Sequence, residues 1–363
     1  VEIIREFRLI MGTQVGSGLN KFGSYERWLF ARWTWMNTGA AHASKLEYRG
    51  ERVNTKFGAA LSLTDKELLQ ATSLKAIYSE GIRAFIKPDE KGVKGRFIAN
   101  ASLGVYTRQK YLFEALMASH PEIDKNMTMF MSGGDKIKTT RATLESSFHI
   151  PIDFEAFDYN VSREFWIAFF IYCSEELSGD AASCASEVSD MLGALEVRDV
   201  EGKVVGKWNK GMPSGFYLTS FCDSLFNLAA QRIIQRRSAG KYEAGKAQGD
   251  DGDMISHSVP VLSELADLFL YVGMKVNKQK NWWQFGVTEY LKQVITLEAV
   301  YQYPARAFAS LVWAYPDFRN IGPQEKLQAL AVLWKEFFDR MGYVDEQLMV
   351  KDIQIGVFNR FRW

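Results

Sequence analysis

The chain has 363 residues, 47% of them hydrophobic and 24% charged, with 44 basic against 43 acidic side chains and a formal net charge of +1. Such values suit two or three subdomains around a sizeable core and exclude a disordered or low-complexity chain. The longest uninterrupted apolar run, Phe165 to Cys173, is too short to span a bilayer, so no membrane partner is expected.

Val1 is not preceded by a charged-then-apolar leader, so no signal peptide is expected, and a start without Met suggests a trimmed or partly covered chain. Residues 21–44 contain Trp28, Trp33 and Trp35 and read as a helix or helices. A helix is predicted over 64–80 and another over 107–120. Between them, residues 82–101 alternate apolar and charged side chains, predicting strands around a Pro-Asp-Glu-Lys-Gly turn. From Arg83 to Lys110 there are seven basic residues against Asp89 and Glu90, a local positive field suited to a polyanion inside a neutral shell.

Residues 149–154 read as a short buried strand, and Ser162 as the cap of a helix that buries Phe165, Trp166, Phe169, Phe170 and Cys173 and ends near Gly179. Residues 195–208 predict a hairpin turning at Glu201-Gly202. A long helix follows Gly215, with Phe221, Cys222, Leu225, Phe226 and Ile233 buried, then a hairpin around Asp250-Asp251 and a helix from about Pro260 to Val272. Beyond residue 300, Phe308, Trp313, Leu327, Leu330 and Leu333 mark helical core. The cysteines Cys173, Cys184 and Cys222 and the four histidines show no paired or metal-ligand spacing and point to a reducing compartment.

The order strand, helix, hairpin, helix, strands is compatible with an α+β fold built on a split βαβ unit. Its chemistry resides in carboxylates. Asp153-Phe-Glu-Ala-Phe-Asp158 closes one predicted strand, and Gly249-Asp250-Asp251 occupies a turn about a hundred residues later. Acids on two segments can share a pair of divalent cations, the minimal apparatus of in-line phosphoryl transfer. Gly-Asp-Asp alone arises by chance in roughly one chain in ten or twenty of this length, so only the ordered combination carries weight.

That combination resembles the viral RNA-dependent RNA polymerases, whose right-hand fold has fingers, palm and thumb. Asp153 to Asp158 resembles palm motif A; Gly211-Met-Pro-Ser214-Gly215 through Thr219 and Asp223 to Asn227 resembles motif B; Gln248-Gly249-Asp250-Asp251-Gly252 resembles motif C. Gly273 to Lys280 is similar to motif D, Glu289-Tyr-Leu-Lys292 to motif E, and Lys87 to Ile98 to the basic motif F. The wording is nearest to the partitivirus and picobirnavirus group of double-stranded RNA viruses, with toti-like viruses the other candidates.

The resemblance implies fingers over 1–148 with basic strands at 82–101, palm over 149–178 and 213–300, a fingers insertion over 179–212, and a small or incomplete thumb over 301–363. It implies an antiparallel palm sheet and two magnesium ions, replaceable by manganese, on Asp153, Asp250 and Asp251. Asp158 would bond the incoming ribose 2′-hydroxyl, Ser214 and Gly215 would meet template or nucleotide phosphate, and Thr219 and Asp223 would orient Asp158 and the ribose; Asn227 continues that face, with a buried polar residue of the helix an equal reading. Lys87 and Arg96 would neutralise the triphosphate, assisted by Lys94, for which a solvated strand face is an equal reading. Lys280 would protonate pyrophosphate, with Lys278 the alternative. Partners would be RNA template, nascent RNA, nucleoside triphosphates and a viral capsid protein, in the virion interior or host cytoplasm. The strand Glu243 to Gln248 is less apolar than usual in the family, so Lys246 is expected to face a solvent channel.

Other readings fit less well. A two-metal nuclease explains the carboxylates but not the Ser-Gly helix start or the basic strands. A reverse transcriptase is disfavoured by Asp158 and by Gln248-Gly249, and a silent RNA-binding scaffold by the intact Asp153, Asp250 and Asp251.

Overall fold

The computed structural model describes residues 2–12, 23–37, 39–40, 47–48, 50–52, 55–86, 97–277, 280–303, 305, 322–341 and 351. Lys87, Lys94, Arg96, the turn beside them, Lys278, Phe308 and Trp313 lie outside the described residues.

Helix α1 (Glu2–Met11) buries Phe7, Ile10 and Met11, and its buried Glu6 is paired with Arg236 at 2.5 Å. The tryptophan-rich stretch forms α2 (Tyr25–Phe30) and a 3-10 turn, Arg32–Thr34. A two-stranded ribbon, β1 (Glu47–Tyr48) and β2 (Glu51–Arg52), leads to α3 (Lys56–Ser62). The helix predicted over 64–80 is two, α4 (Asp65–Ala71) and α5 (Leu74–Glu80), because two caps compete for the stretch. Thr64 and Glu67 form a capping box, and Ser73 accepts from the Ala76 N–H at 3.2 Å, starting a second helix.

β3 (Ile82–Ile86) and β4 (Phe97–Asn100) pair antiparallel, as their alternation predicts. α6 (Leu103–Ser119) starts four residues before the predicted Thr107, at the cap of Ser102. Then come α7 (Gly133–Leu144), β5 (Phe148–Ile152), the single turn α8 (Phe157–Asn160), α9 (Arg163–Glu176) and α10 (Gly179–Ala194). α9 is capped by Ser162 and fully buries Trp166, Phe169 and Phe170, each worth about 2–3 kcal/mol of transfer free energy. α10 is a finding of the structure: its buried face of Ala181, Cys184, Ala185 and Val188 is too small to show as an apolar stripe, yet it packs closely on α9.

The predicted hairpin is present as β6 (Glu196–Arg198) and β7 (Val204–Lys207). β6 lies parallel to β3, with Ile82 opposite Val197, so the hairpin extends the first sheet in the order β4-β3-β6-β7. α11 (Thr219–Arg237) is followed by β8 (Tyr242–Gln248), β9 (Asp251–Ser256) and α12 (Leu262–Tyr271). Next come β10 (Gln284–Phe285), the sheet of β11 (Val287–Tyr290), β12 (Gln293–Thr296) and β13 (Val300–Tyr301), and α13 (Pro323–Met341).

The second four-stranded sheet has the order β10-β5-β9-β8 and is antiparallel at every pairing. α11 lies against β8 and β9 and is buried on nearly every side. Its polar residues Ser224, Asn227 and Gln231, all fully buried and spaced at helical intervals, share the side toward that hairpin. Among the described residues no helix is long and apolar enough to cross a membrane.

Candidate active site

Asp153 is the first residue past β5, and its place is set by register. Ile152 stands opposite Gly252 in the β5–β9 ladder, so one further step puts Asp153 beside Asp251. Gly249 and Asp250 form the two-residue turn between Gln248 and Asp251, which face each other across β8 and β9. Gly249 has φ +61°, the left-handed value that glycine adopts without a Cβ penalty at the first central position of a tight hairpin.

Backbone and side chain hold this end of β5. The Asp153 N–H donates to Asn281 Oδ1 at 2.7 Å, and the Asp153 carbonyl accepts from the Asn277 N–H at 2.8 Å. The segment that ends near Lys280 thereby closes over the acid, and Lys280 Nζ lies 3.3 Å from Asp153 Oδ1.

α11 supports the turn from beneath. Asn227 Nδ2 donates to the carbonyls of Gly249, Asp250 and Asp251 at 3.1, 3.3 and 3.2 Å. Gln231 donates to Asn227 Oδ1 at 3.0 Å, and the Gly249 N–H donates to Ser224 Oγ at 2.7 Å. Asn227 is fully buried under the turn, as its reading as a buried polar residue of the helix has it. Its helical position points it at carbonyls that the hairpin leaves unpaired.

Asp251 is the electrostatic centre. Burial, then the charge of Asp250, push its carboxyl up to about 6; Lys292 opposes the rise, and Asp153 and Glu289 add to it. Asp153, Asp251, Glu289, Lys280 and Lys292 line a cavity of about 420 Å³ together with Trp282 and Tyr303. Asp250 is exposed at the tip of the turn and does not line it. Among the described residues no group of three or more acids, histidines or cysteines is already drawn around one point. The acids are therefore neighbours across a ladder end rather than a closed cage. Their chemistry nonetheless suits a hard cation: anionic oxygens whose mutual repulsion raises one proton affinity are the ligands magnesium and manganese take.

Of the other expected residues, Ser214 and Gly215 lie on the first sheet. The Ser214 carbonyl accepts from the Ala99 N–H of β4 at 2.8 Å, and a Cβ at Gly215, φ +109°, would come within 2.8 Å of the Ala99 carbonyl. Thr219 starts α11 and donates to the Pro213 carbonyl at 2.9 Å, while Asp223, one turn on, is 6% exposed. Asp158 falls in α8, and its side chain lies outside the described residues.

Lys246 corrects an expectation. It is 8% exposed rather than facing a channel, because its ammonium donates to Thr140 Oγ1 of α7 at 2.5 Å with Asp253 nearby; burial lowers its pKa to about 8. Pattern reading also passed over α7, which sends Lys136 to Gln248 Oε1 at 2.6 Å beside the turn. Glu289 and Lys292 stood in the motif E resemblance without a role; Glu289 lies on β11 and Lys292 in the turn after it.

The family model described as viral RNA-directed RNA-polymerase matches residues 13–313. A probable RNA-directed RNA polymerase of Giardia lamblia virus is 25% identical over 267 residues, covering 69% of this chain and 14% of that protein. The chain thus spans about one seventh of that relative's length. In fold, the chain resembles the RNA-dependent RNA polymerase of a human picobirnavirus, with TM-score 0.63 at 14% identity over 96% of this chain and 72% of the other. An insertion-loop deletion mutant of a human picobirnavirus polymerase gives TM-score 0.59 at 12% identity, covering 97% and 74%.

Proposed function

The chain belongs to the viral RNA-directed RNA polymerases, and from that membership we propose that it copies RNA from an RNA template, joining nucleoside triphosphates to a 3′-hydroxyl by a two-metal mechanism in viral genome replication and transcription. The observation that carries the proposal is the β5–β9 register, which sets Asp153 beside the Gly249-Asp250-Asp251 turn.

In this reading the chain is a right hand with a split βαβ palm. The β10-β5-β9-β8 sheet and α11 belong to the palm, the β4-β3-β6-β7 sheet to the fingers, and α13 to the thumb. Asp153, Asp250 and Asp251 would hold magnesium, or manganese in its place. Bound there, the ions would supply charge stabilisation at the attacking and leaving oxygens.

The chain's own residues position the reactants. Ser214 and Gly215, fastened to β4, present backbone to a phosphate, and Thr219 and Asp223 orient the ribose with Asp158. Lys87, Lys94 and Arg96 neutralise the triphosphate. Lys280, already beside Asp153, donates the proton to departing pyrophosphate. RNA, nucleoside triphosphates and a capsid protein are the proposed partners, and the virion interior or host cytoplasm the place.

Primer extension on RNA and DNA templates, with ribo- and deoxyribonucleotides and with magnesium withheld, tests the reading. Asp250→Ala is expected to abolish incorporation and leave RNA binding largely intact; undiminished synthesis refutes the assignment. Asp158→Ala is expected to erode the preference for ribonucleotides, since a site built to bond a hydroxyl can discriminate by about 10⁴-fold. An unchanged ratio removes its role.

A further inference from the structure

β9 carries a second acid on the same face as Asp251. Residues two apart on a strand point the same way, so Asp251 and Asp253 both leave the side opposite α11. Asp253 is 1% exposed and has both carboxylate oxygens engaged. Oδ2 lies 2.8 Å from His149 Nδ1, and Oδ1 accepts from Thr288 Oγ1 at 3.0 Å. His149 thereby ties β5 to the same acid. Its Nε2 lies 3.1 Å from Thr143 Oγ1 on α7.

Thr288 belongs to a different sheet. Among the described residues β11 pairs only with β12, and no backbone ladder joins it to β9 or β5. The chain passes from β10, paired with β5, into β11 through Gly286 alone; beyond that covalent link, the described polar connections between β11 and the acid-bearing side are made by side chains: Thr288 to Asp253, and Tyr290 to Thr128 beside Gln248. Three residues past Thr288 the chain turns at Leu291-Lys292, and both residues line the cavity beside Asp251.

We propose that Asp253 is a positioning residue: through Thr288 it holds the Leu291–Lys292 turn, and with it the Lys292 charge, against Asp251. The buried acid fastens the far side of β11 to a sheet that the chain otherwise reaches through Gly286. Neither Asp253 nor Thr288 lines the cavity, so their effect reaches substrate only through the turn and the neighbouring acid. A displacement of about 1 Å at a reacting centre can cost about 10²-fold in rate. Severing the side-chain bond between the sheets supplies such a shift.

The inference rests on the polymerase reading, and the experiment separates the two. Steady-state incorporation is measured for wild type, Thr288→Val, Thr288→Ser, Lys292→Ala and the Thr288→Val/Lys292→Ala double variant. Thr288→Val is expected to lower kcat about tenfold or more, with KM for nucleotide and Kd for RNA within about twofold. Thr288→Ser, which keeps the hydroxyl, is expected to recover most of the rate. Because the tie acts through Lys292, its removal is expected to cost little more in the Thr288→Val background than Thr288→Val alone. Multiplicative effects of the two changes, equal loss in Thr288→Ser, or an undiminished kcat in Thr288→Val each overturn the inference. Thr288→Ala removes the same hydroxyl with less steric demand and carries the test if Thr288→Val does not fold. Incorporation that survives Asp250→Ala overturns the polymerase reading itself.

Discussion

Asn227 makes three contacts that no other side chain could make from its position. It offers amide hydrogens to three consecutive carbonyls of the acid-bearing turn and takes one hydrogen bond from Gln231. Removing a buried partner leaves carbonyls without a donor, at about 1–3 kcal/mol. Asn227→Ala is therefore expected to lower stability by about that amount and to slow incorporation. Asn227→Asp is expected to do worse, because a carboxylate cannot donate to a carbonyl. Denaturant unfolding beside an incorporation assay checks both.

Asp251 predicts a pH dependence. Its folded pKa is raised from 3.8 to about 6, so the metal-free fold holds this proton more tightly than the unfolded chain does. The resulting stability is complete below pH 3.8 and is lost as pH rises through about 6. A cation that binds the ionised acids acts in the opposite sense. Added magnesium is expected to raise the melting temperature clearly above that pH and hardly at all well below it. Equal shifts in the two ranges would remove Asp251 from the metal set.

At the scale of elements, the β11–β12 turn is unusual. Leu291 and Lys292 both have positive φ, 52° and 63°, in a two-residue turn that ordinarily takes Asn-Gly. Each left-handed non-glycine residue costs about 1–2 kcal/mol. Replacing the pair by Asn-Gly is expected to raise the melting temperature while lowering kcat, because the Lys292 charge beside Asp251 is lost. A gain in both would show that the strain serves nothing at the site.

Several elements were legible and several were not, for identifiable reasons. The strand before Asp153, the helix capped by Ser162 and both hairpins announce themselves through caps, alternation and turn residues, while the Ser102 cap passed unread and its helix starts ahead of the predicted Thr107. α7 does not, because the side it turns to the sheet is polar: Lys136, Thr140 and Thr143 meet Gln248, Lys246 and His149. A stripe of threonines and lysine reads as a solvated face until the sheet beneath it is known. The same cause misplaced Lys246, whose burial depends on a hydroxyl more than a hundred residues away.

At the scale of the molecule, one hydrophobic cluster runs from Phe7 through Val276 and unites both four-stranded sheets with their helices. The β11–β13 sheet rests on a second and much smaller cluster, Leu144, Tyr290 and Ile295. Stability should follow that division. Amide hydrogen exchange is expected to open Val287–Tyr301 well before Thr219–Arg237, with the rest of the described core exchanging as one cooperative unit. Equal protection of the two regions would contradict it.

Three acids in order, a Ser-Gly before a helix and a basic stretch were enough to point to the family, because those residue types and their chain order are visible without the fold. Spacing could not say that Asp251 rather than Asp250 faces the cavity, that Asn227 bonds the carbonyls of the turn, or that Asp253 bonds across two sheets. Those outcomes follow from strand register and from which side of a helix meets which strand. Both are decided by packing between segments far apart in the chain, where local pattern carries no information.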